Sequence, residues 1–418
     1  MFHELSVKLK DIYYYIPIIV ILCPTFPSLL PELLGFQLIF ILEIVFVITC
    51  GILGIYQPKH KCVTTTIILF FLSATIVSIS FDLINGVTII SDYFELVKPF
   101  AFILFFWFYR YSVISSDELI SYTFKALLVI YCFLTVFTLI AFLFPESFRS
   151  IEFMLYKRSS VPILANKAIG SFSTTYHYAF FLILPLSYTF ILLLRSPGLK
   201  HLLMFFLVLT SMVLTQSRSM YLCSVLCIIL SYFCPILHET KKQKLITITI
   251  IGIVLTIGVC IFFQYQEELY KNLTYAFEGL SAMSEGGNNS VNVRENQIRW
   301  AFENNTFLLI GAGIGKGEIM LESFYSLYLY RYGLIGMIIS LSLFIVTSYK
   351  SIIIARTYTS DNRKIGFFAL AVFYFIVPFS ITSSCHMDSP KISFLFYGLI
   401  GLIFRKYHEI QELKYKQA

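Results

Sequence analysis

Long apolar runs recur from the first twenty residues of the chain to the last twenty, separated by short polar links. Each is close to the length that crosses a lipid bilayer, about 20 residues. A soluble protein of this size could bury a large core, but it would need far more charged surface than is present. Only 13% of residues are charged and 58% are hydrophobic, against about a quarter charged in soluble domains. The mean hydropathy is +0.80. These features exclude a soluble enzyme with one anchor, a secreted disulfide scaffold and a disordered chain. A transmembrane β-barrel is excluded too, because its strands alternate at every second residue and runs such as 245–263 do not. The expected fold is an all-α polytopic membrane protein.

Spans are expected near 12–30, 34–56, 63–82, 93–111, 120–143, 177–194, 201–216, 219–236, 245–263, 323–347, 365–384 and 391–404, about twelve helices within a single integral membrane domain over 1–418. Two long links, 145–176 and 264–322, interrupt the pattern. With both termini cytoplasmic, the inner segments hold 18 of the 31 Lys and Arg residues. The short outer links near 24–33 and 83–92 hold none, so the positive-inside bias places both long loops on the outer face. That face of a bacterial membrane sees no nucleotide triphosphate. Chemistry there must draw on an activated donor already in the membrane. No internal repeat is evident, which disfavours a transporter built from two related halves.

The net charge of +7 reflects this orientation. No dense Lys/Arg run lies outside the short loops, so nucleic acid is not an expected partner. The nine cysteines fall mostly inside apolar runs, as Cys50, Cys132, Cys223, Cys227 and Cys260 do, and no C-x-x-C occurs. They read as small buried hydrophobes, with neither a disulfide framework nor a metal site expected. Lys8 and Lys10 precede the first apolar run, but no A-x-A-like cleavage site follows, so that run reads as a retained first span.

Few outer-face side chains can carry chemistry. Arg218 sits in Thr215-Gln216-Ser217-Arg218-Ser219, a polar turn between two spans. Lys167 lies in Asn166-Lys167-Ala168-Ile169-Gly170 just before a span, and Arg294, Arg299 and Lys316 lie in the second loop. An ionisable group beside hydrocarbon is costly and points to a polar cavity or partner. The plainer alternative is snorkelling to lipid headgroups. The polar neighbours of Arg218 favour the functional reading there.

The run Gly311-Ala312-Gly313-Ile314-Gly315-Lys316-Gly317 fails both the P-loop and the G-x-G-x-x-G patterns. Its glycines still permit close backbone approach and an anion-binding nest. Glu322 follows at the outer mouth of the next span, ahead of Ser323, Ser326 and Arg331. A carboxylate there can take a proton from a sugar hydroxyl within hydrogen-bond reach. Alternatively it is an acid stabilised at a helix N-terminus. The 28 Tyr and 43 Phe are mostly structural, although aromatic rings also line sugar grooves. Among the histidines only His177 and His386 fall near the outer face.

The order of these motifs resembles the superfamily of bacterial O-antigen polymerases (Wzy-type) and O-antigen ligases. It runs from Lys167-x-x-Gly170 through Ser217-Arg218 and an Arg in a large outer loop to Gly-x-Gly-x-Gly, a polar residue and Gly333-x-x-Gly336. The motifs cover roughly 160–340. Ligases of the superfamily typically carry His-Asn after the glycines; Glu322-Ser323 stands there instead, as in the polymerase branch. The family's first-loop Arg is replaced by Lys167, with Arg158 a substitute candidate, and its second-loop arginine maps onto Arg294 or Arg299.

The resemblance implies a GT-C-like, metal-independent glycosyltransferase without a cofactor, in the bacterial inner membrane and active at the periplasmic face. Its substrate would be undecaprenyl-pyrophosphate-linked oligosaccharide. Arg218, Arg294, Arg299, Lys167, Arg158 and Lys316 are the candidates to bind pyrophosphate, and Glu322 and Arg218 the catalytic candidates. Expected partners are membrane lipid, a polysaccharide chain-length regulator, a repeat-unit flippase and the O-antigen ligase. Arginine suits pyrophosphate through forked, charge-assisted bonds. Two other readings compete: the ligase itself, which transfers polymer to lipid A-core, and a lipid-linked oligosaccharide flippase. A flippase requires charges along span interiors, for which Glu43, Asp82, Asp92, Glu95, Lys98 and Lys125 are the candidates.

Overall fold

A computed structural model describes residues 2–25, 32–57, 63–144, 147–148, 150–156, 167–233, 252, 289–316, 321–358 and 362–417. Among these the chain is all-α, with one isolated bridge between Tyr56 and Ser112 and no strand. The helices are α1 (Phe2–Leu22), α2 (Glu32–Ile52), α3 (Val63–Ile84), the single-turn α4 (Ile90–Tyr93), α5 (Val97–Arg110), α6 (Ser116–Leu143) and α7 (Ser150–Tyr156). They continue as α8 (Thr175–Arg195), α9 (Leu199–Leu214), α10 (Arg218–Tyr232), α11 (Asn289–Glu303), α12 (Phe324–Thr357), α13 (Asn362–Ser380) and α14 (Pro390–Gln417).

Five described helices are long and apolar enough to cross a membrane: 65–84, α6, α8, α12 and α13. Shorter apolar helices cover 11–22, 39–52, α9 and α10. The protein is therefore membrane-embedded and helical. Apart from residue 252, the span expected at 245–263 lies outside the described residues.

Successive helices run up and down, so their ends gather at two opposite faces. At one, α14 ties the bundle together. Arg405 donates to the carbonyls of Ser112 and Ile114 at 3.0 and 2.7 Å, and Lys406 pairs with Asp117 at 2.9 Å. The opposite end carries the 167–175 segment, the α9–α10 turn, α11 and the start of α12. Three links close it. Lys391 donates to the carbonyls of Ile21, Cys23 and Ser171, Ala168 N–H to Leu214, and Cys385 N–H to Glu322. Between the ends α12 packs along α13, α14 along α5, and α8 against α9, α10 and α13. Phe180, Phe373, Tyr374 and Phe396 fill this interior with contacting rings.

Two elements depart from the expected spans. The run expected at 93–111 enters as α4 and a 3-10 turn over Phe94–Leu96 before α5 begins, because Glu95 and Lys98 are drawn into ion pairs there. The run expected at 323–347 is also interrupted. Gly333 breaks α12 with φ 62° and ψ −169°. The break frees backbone groups that hydrocarbon cannot satisfy. The 305–312 loop and Ser78 meet them. Asn305 Nδ2 donates to Leu329 O, Ala312 N to Tyr330 O and Ser78 Oγ to Arg331 O, at 2.6–2.7 Å. In return, Leu334 and Ile335 donate to Leu308 and Leu309. A side chain at Gly333 would lie 2.3 Å from Leu309 backbone, and one at Gly311 would lie 2.2 Å from Arg331 O. Only glycine tolerates that approach together with positive φ.

Candidate functional site

The α9–α10 connection is very short. Thr215 closes α9, Gln216 takes φ 51°, and Ser217 stands at the N-cap position of α10, so Arg218 opens that helix. The Ser217 hydroxyl is buried and makes no hydrogen bond. A helix N-terminus without a side-chain cap, and with a cation in its first turn, favours anions. The preceding helix end holds the other motif in place, because Leu214 O accepts from Ala168 N at 2.8 Å. Lys167 is buried beside it, at 5% exposure. Burial first, then the charge of nearby Arg218, brings the Lys167 ammonium down to about 8.

At the same end of the bundle two histidines meet. His177 lies in the first turn of α8, whose N-cap Thr174 accepts from its N–H. His386 begins a 3-10 turn after α13, and the two rings stand 5.6 Å apart between centroids. His386 is fully buried and stacks on Phe180 at 4.7 Å. Burial, then His177, with Arg294 acting in the same direction, hold it well below the ordinary imidazole range. It is a neutral ring at neutral pH. Its Nε2 lies 3.3 Å from Ser380 O and from Ser383 Oγ. With Nε2 donating to that carbonyl, Nδ1 is left as a lone pair, and it is buried without a hydrogen bond.

Arg294 reaches this site from α11. Along that helix Gln297 and Ala301 are buried and Arg294 is half-buried, whereas Glu295, Asn296 and Arg299 are exposed, a helical face turned to the bundle. Gln297 Oε1 accepts from Glu322 N at 3.2 Å. Glu322 O in turn accepts from Cys385 N, one residue before His386. Glu322 is exposed and stands outside α12, since Ser323 is the N-cap and accepts from Ser326 N.

A second cation cluster lies at the same end, and there an acid sits at its centre. Buried Glu95 receives Lys316 at 2.5 Å, Arg331 at 2.7 Å and Lys98 at 2.9 Å. Arg331 also donates to Ile314 O and Lys316 to Ser91 O. The anion bound by the glycine turn is the chain's own: Asp82 accepts from Ile314 N at 2.8 Å. Lys98 stands 3.7 Å from Asp388, whose carboxyl is raised above its ordinary value chiefly by burial.

The structure thus pairs Lys167 with Arg218, sets Arg294 by the His177–His386 pair, and ties the Glu322 backbone to Gln297 and Cys385 at the same end of the bundle. It places Lys316 apart, on Glu95. Arg299 points outward and pairs with Glu295 at 3.1 Å. Arg158 lies outside the described residues. Asp82, Asp92, Glu95 and Lys98 serve as local ties at the bundle end, Asp92 accepting from Ile89 N. Sequence reasoning noted His177 and His386 but gave them no role. The only available signal was their position at the ends of apolar runs. No protein-family model matches the chain, and no curated protein matches it by sequence.

Proposed function

We propose that this protein is an O-antigen polymerase of the bacterial inner membrane, a GT-C-like glycosyltransferase of about twelve spans with cytoplasmic termini and a periplasmic site. It would join undecaprenyl-pyrophosphate-linked repeat units without a metal. The observation that supports the reading is that the Lys167–Arg218 pair, Arg294 beside His386, and Glu322 next to Gln297 and Cys385 all fall at one end of the bundle, from separate stretches of chain.

In this reading Arg218 and Lys167 hold the donor pyrophosphate at the start of α10, with Arg294 reaching in from α11. The acceptor hydroxyl oxygen attacks the anomeric carbon of the growing chain. The bond from that carbon to the pyrophosphate oxygen breaks, and undecaprenyl pyrophosphate departs with the electron pair, stabilised by the cations. Glu322 takes the hydroxyl proton. Because the leaving group is already ionised, no second carboxylate is needed as acid, unlike glycoside hydrolysis.

A clean deletion in the parent bacterium tests the assignment. The polymerase reading expects lipopolysaccharide capped with a single repeat unit and no ladder. Bare core would mean a ligase, and an unchanged ladder would remove the assignment.

A further inference from the structure

At the end of the bundle opposite the proposed site, α6, α8 and α13 enclose a cavity of about 300 Å³. Its walls are Leu127, Leu128, Tyr131 and Leu184, and Lys125 and Arg363 stand at its polar margin. We propose that this cavity binds an anionic phospholipid, its phosphate between Lys125 and Arg363 and part of one acyl chain along the apolar wall.

Helix geometry explains the opening. Gly366 lets α13 touch α6 at Phe124, where a side chain would lie 2.4 Å from the ring, and Phe124 packs on Phe367. Beside that contact the cavity extends from Gly366 and Ala369 of α13 to Leu184 and Tyr188 of α8. At about 30 Å³ per water-sized group, the space holds about ten methylene-sized groups. A whole lipid would not fit. A chain segment with its headgroup outside does.

Charge selects the headgroup. Arg363 lies at the helix ends, 3.4 Å from Asp117. Asp117 also receives Lys406 at 2.9 Å and the Tyr358 hydroxyl at 2.8 Å, and Glu409 stands 3.8 Å from Lys406, but the only charged residues that line the cavity itself among the described residues are Lys125 and Arg363. Lys125 is exposed, and its Cα lies about 12 Å beyond Asp117 along α6 at about 1.5 Å per residue. Its ammonium turns back over the Tyr122 ring, 5.8 Å from the centroid and towards the Arg363 end. That is the posture of a lysine snorkelling to a headgroup. Basic pockets between helices recognise lipid phosphates in this way. The polyprenyl carrier is a poor occupant, because α6 alone separates the two ends by about 40 Å and the carrier's pyrophosphate belongs at the other.

The test uses the purified full-length protein in detergent, titrated with phosphatidylglycerol or phosphatidylcholine and read by native mass spectrometry. At about fivefold per basic residue, wild type should retain phosphatidylglycerol about 25-fold better. Lys125→Gln should reduce the preference to about fivefold, and Lys125→Arg should restore it. Equal retention of the two lipids, an unchanged preference in Lys125→Gln, or equal thermal stabilisation by inorganic phosphate alone would overturn the proposal. The assay does not involve polymerisation, so its outcome is independent of the proposed activity.

Discussion

Two groups of cations sit at the same end of this bundle, and they differ in what faces them. Lys98, Lys316 and Arg331 surround one buried carboxylate, Glu95, at 2.5–2.9 Å. What acts on Lys167 is burial and another cation, Arg218; what acts on His386 includes Arg294. The first arrangement is an internal structure that holds the glycine loop against broken α12. The second sets like charges near one another, and in the proposed reading it receives the donor pyrophosphate. Charge type alone does not tell a structural cluster from a binding site; the carboxylate at the centre of the first marks it as structural.

The largest effect should come from removing that carboxylate. Glu95→Ala leaves three cations around a vacated buried position, and breaking a buried pair costs about 3–5 kcal/mol. Thermal unfolding in detergent should show a strongly destabilised protein, and a wild-type Tm would refute the structural role. A mutation in the other group should cost activity while sparing the fold. Glu322→Gln, at an exposed position, should lower the polymerisation rate about 100-fold, a typical general-base contribution, with Tm unchanged. Full activity in that variant would remove Glu322 as the base.

The pH dependence sharpens the contrast further. Lys167 titrates at about 8, below the ordinary lysine range, and only its protonated form attracts pyrophosphate. In the proposed reading its contribution to substrate binding should be complete well below pH 8 and lost as pH rises through that value. Bound pyrophosphate favours the ammonium, so kcat should hold to higher pH than kcat/KM. Lys167→Arg should move the alkaline limb of kcat/KM upward, since arginine stays charged. An identical limb in wild type and variant would show that Lys167 does not contact the donor. The smallest expected effect is on stability: His386→Asn removes the ring that stacks on Phe180 and bonds Ser380 O, which should cost about 1 kcal/mol in thermal unfolding, and a wild-type Tm would show that the ring holds nothing in place.

The sequence made some of this plain and hid the rest for physical reasons. Arg218 stood out because a tight polar turn between two apolar runs leaves an arginine few places to go, and it opens α10 as expected. Arg294 and Arg299 were equivalent as residue types. What separates them is the direction in which α11 faces, and a mostly polar helix does not announce that. Gly333 was visible as part of a Gly-x-x-Gly pattern, yet the break in α12 depends on a loop about 25 residues earlier that supplies its hydrogen bonds. Glu95 and Lys98 were candidate steps on a translocation path; the partners of Glu95, Lys316 and Arg331, and that of Lys98, Asp388, come from more than 200 residues away. His386 gave no motif at all, and only the folded chain sets it against His177.

The most direct test of the central claim is polymerisation by purified Arg218→Ala supplied with undecaprenyl-pyrophosphate-linked repeat units, beside wild type. Losing one donor to a developing charge costs about 100- to 1,000-fold. Wild type should yield a ladder of longer glycans, and the variant, with an unchanged Tm, should yield essentially none. A ladder of wild-type intensity from Arg218→Ala would contradict the account.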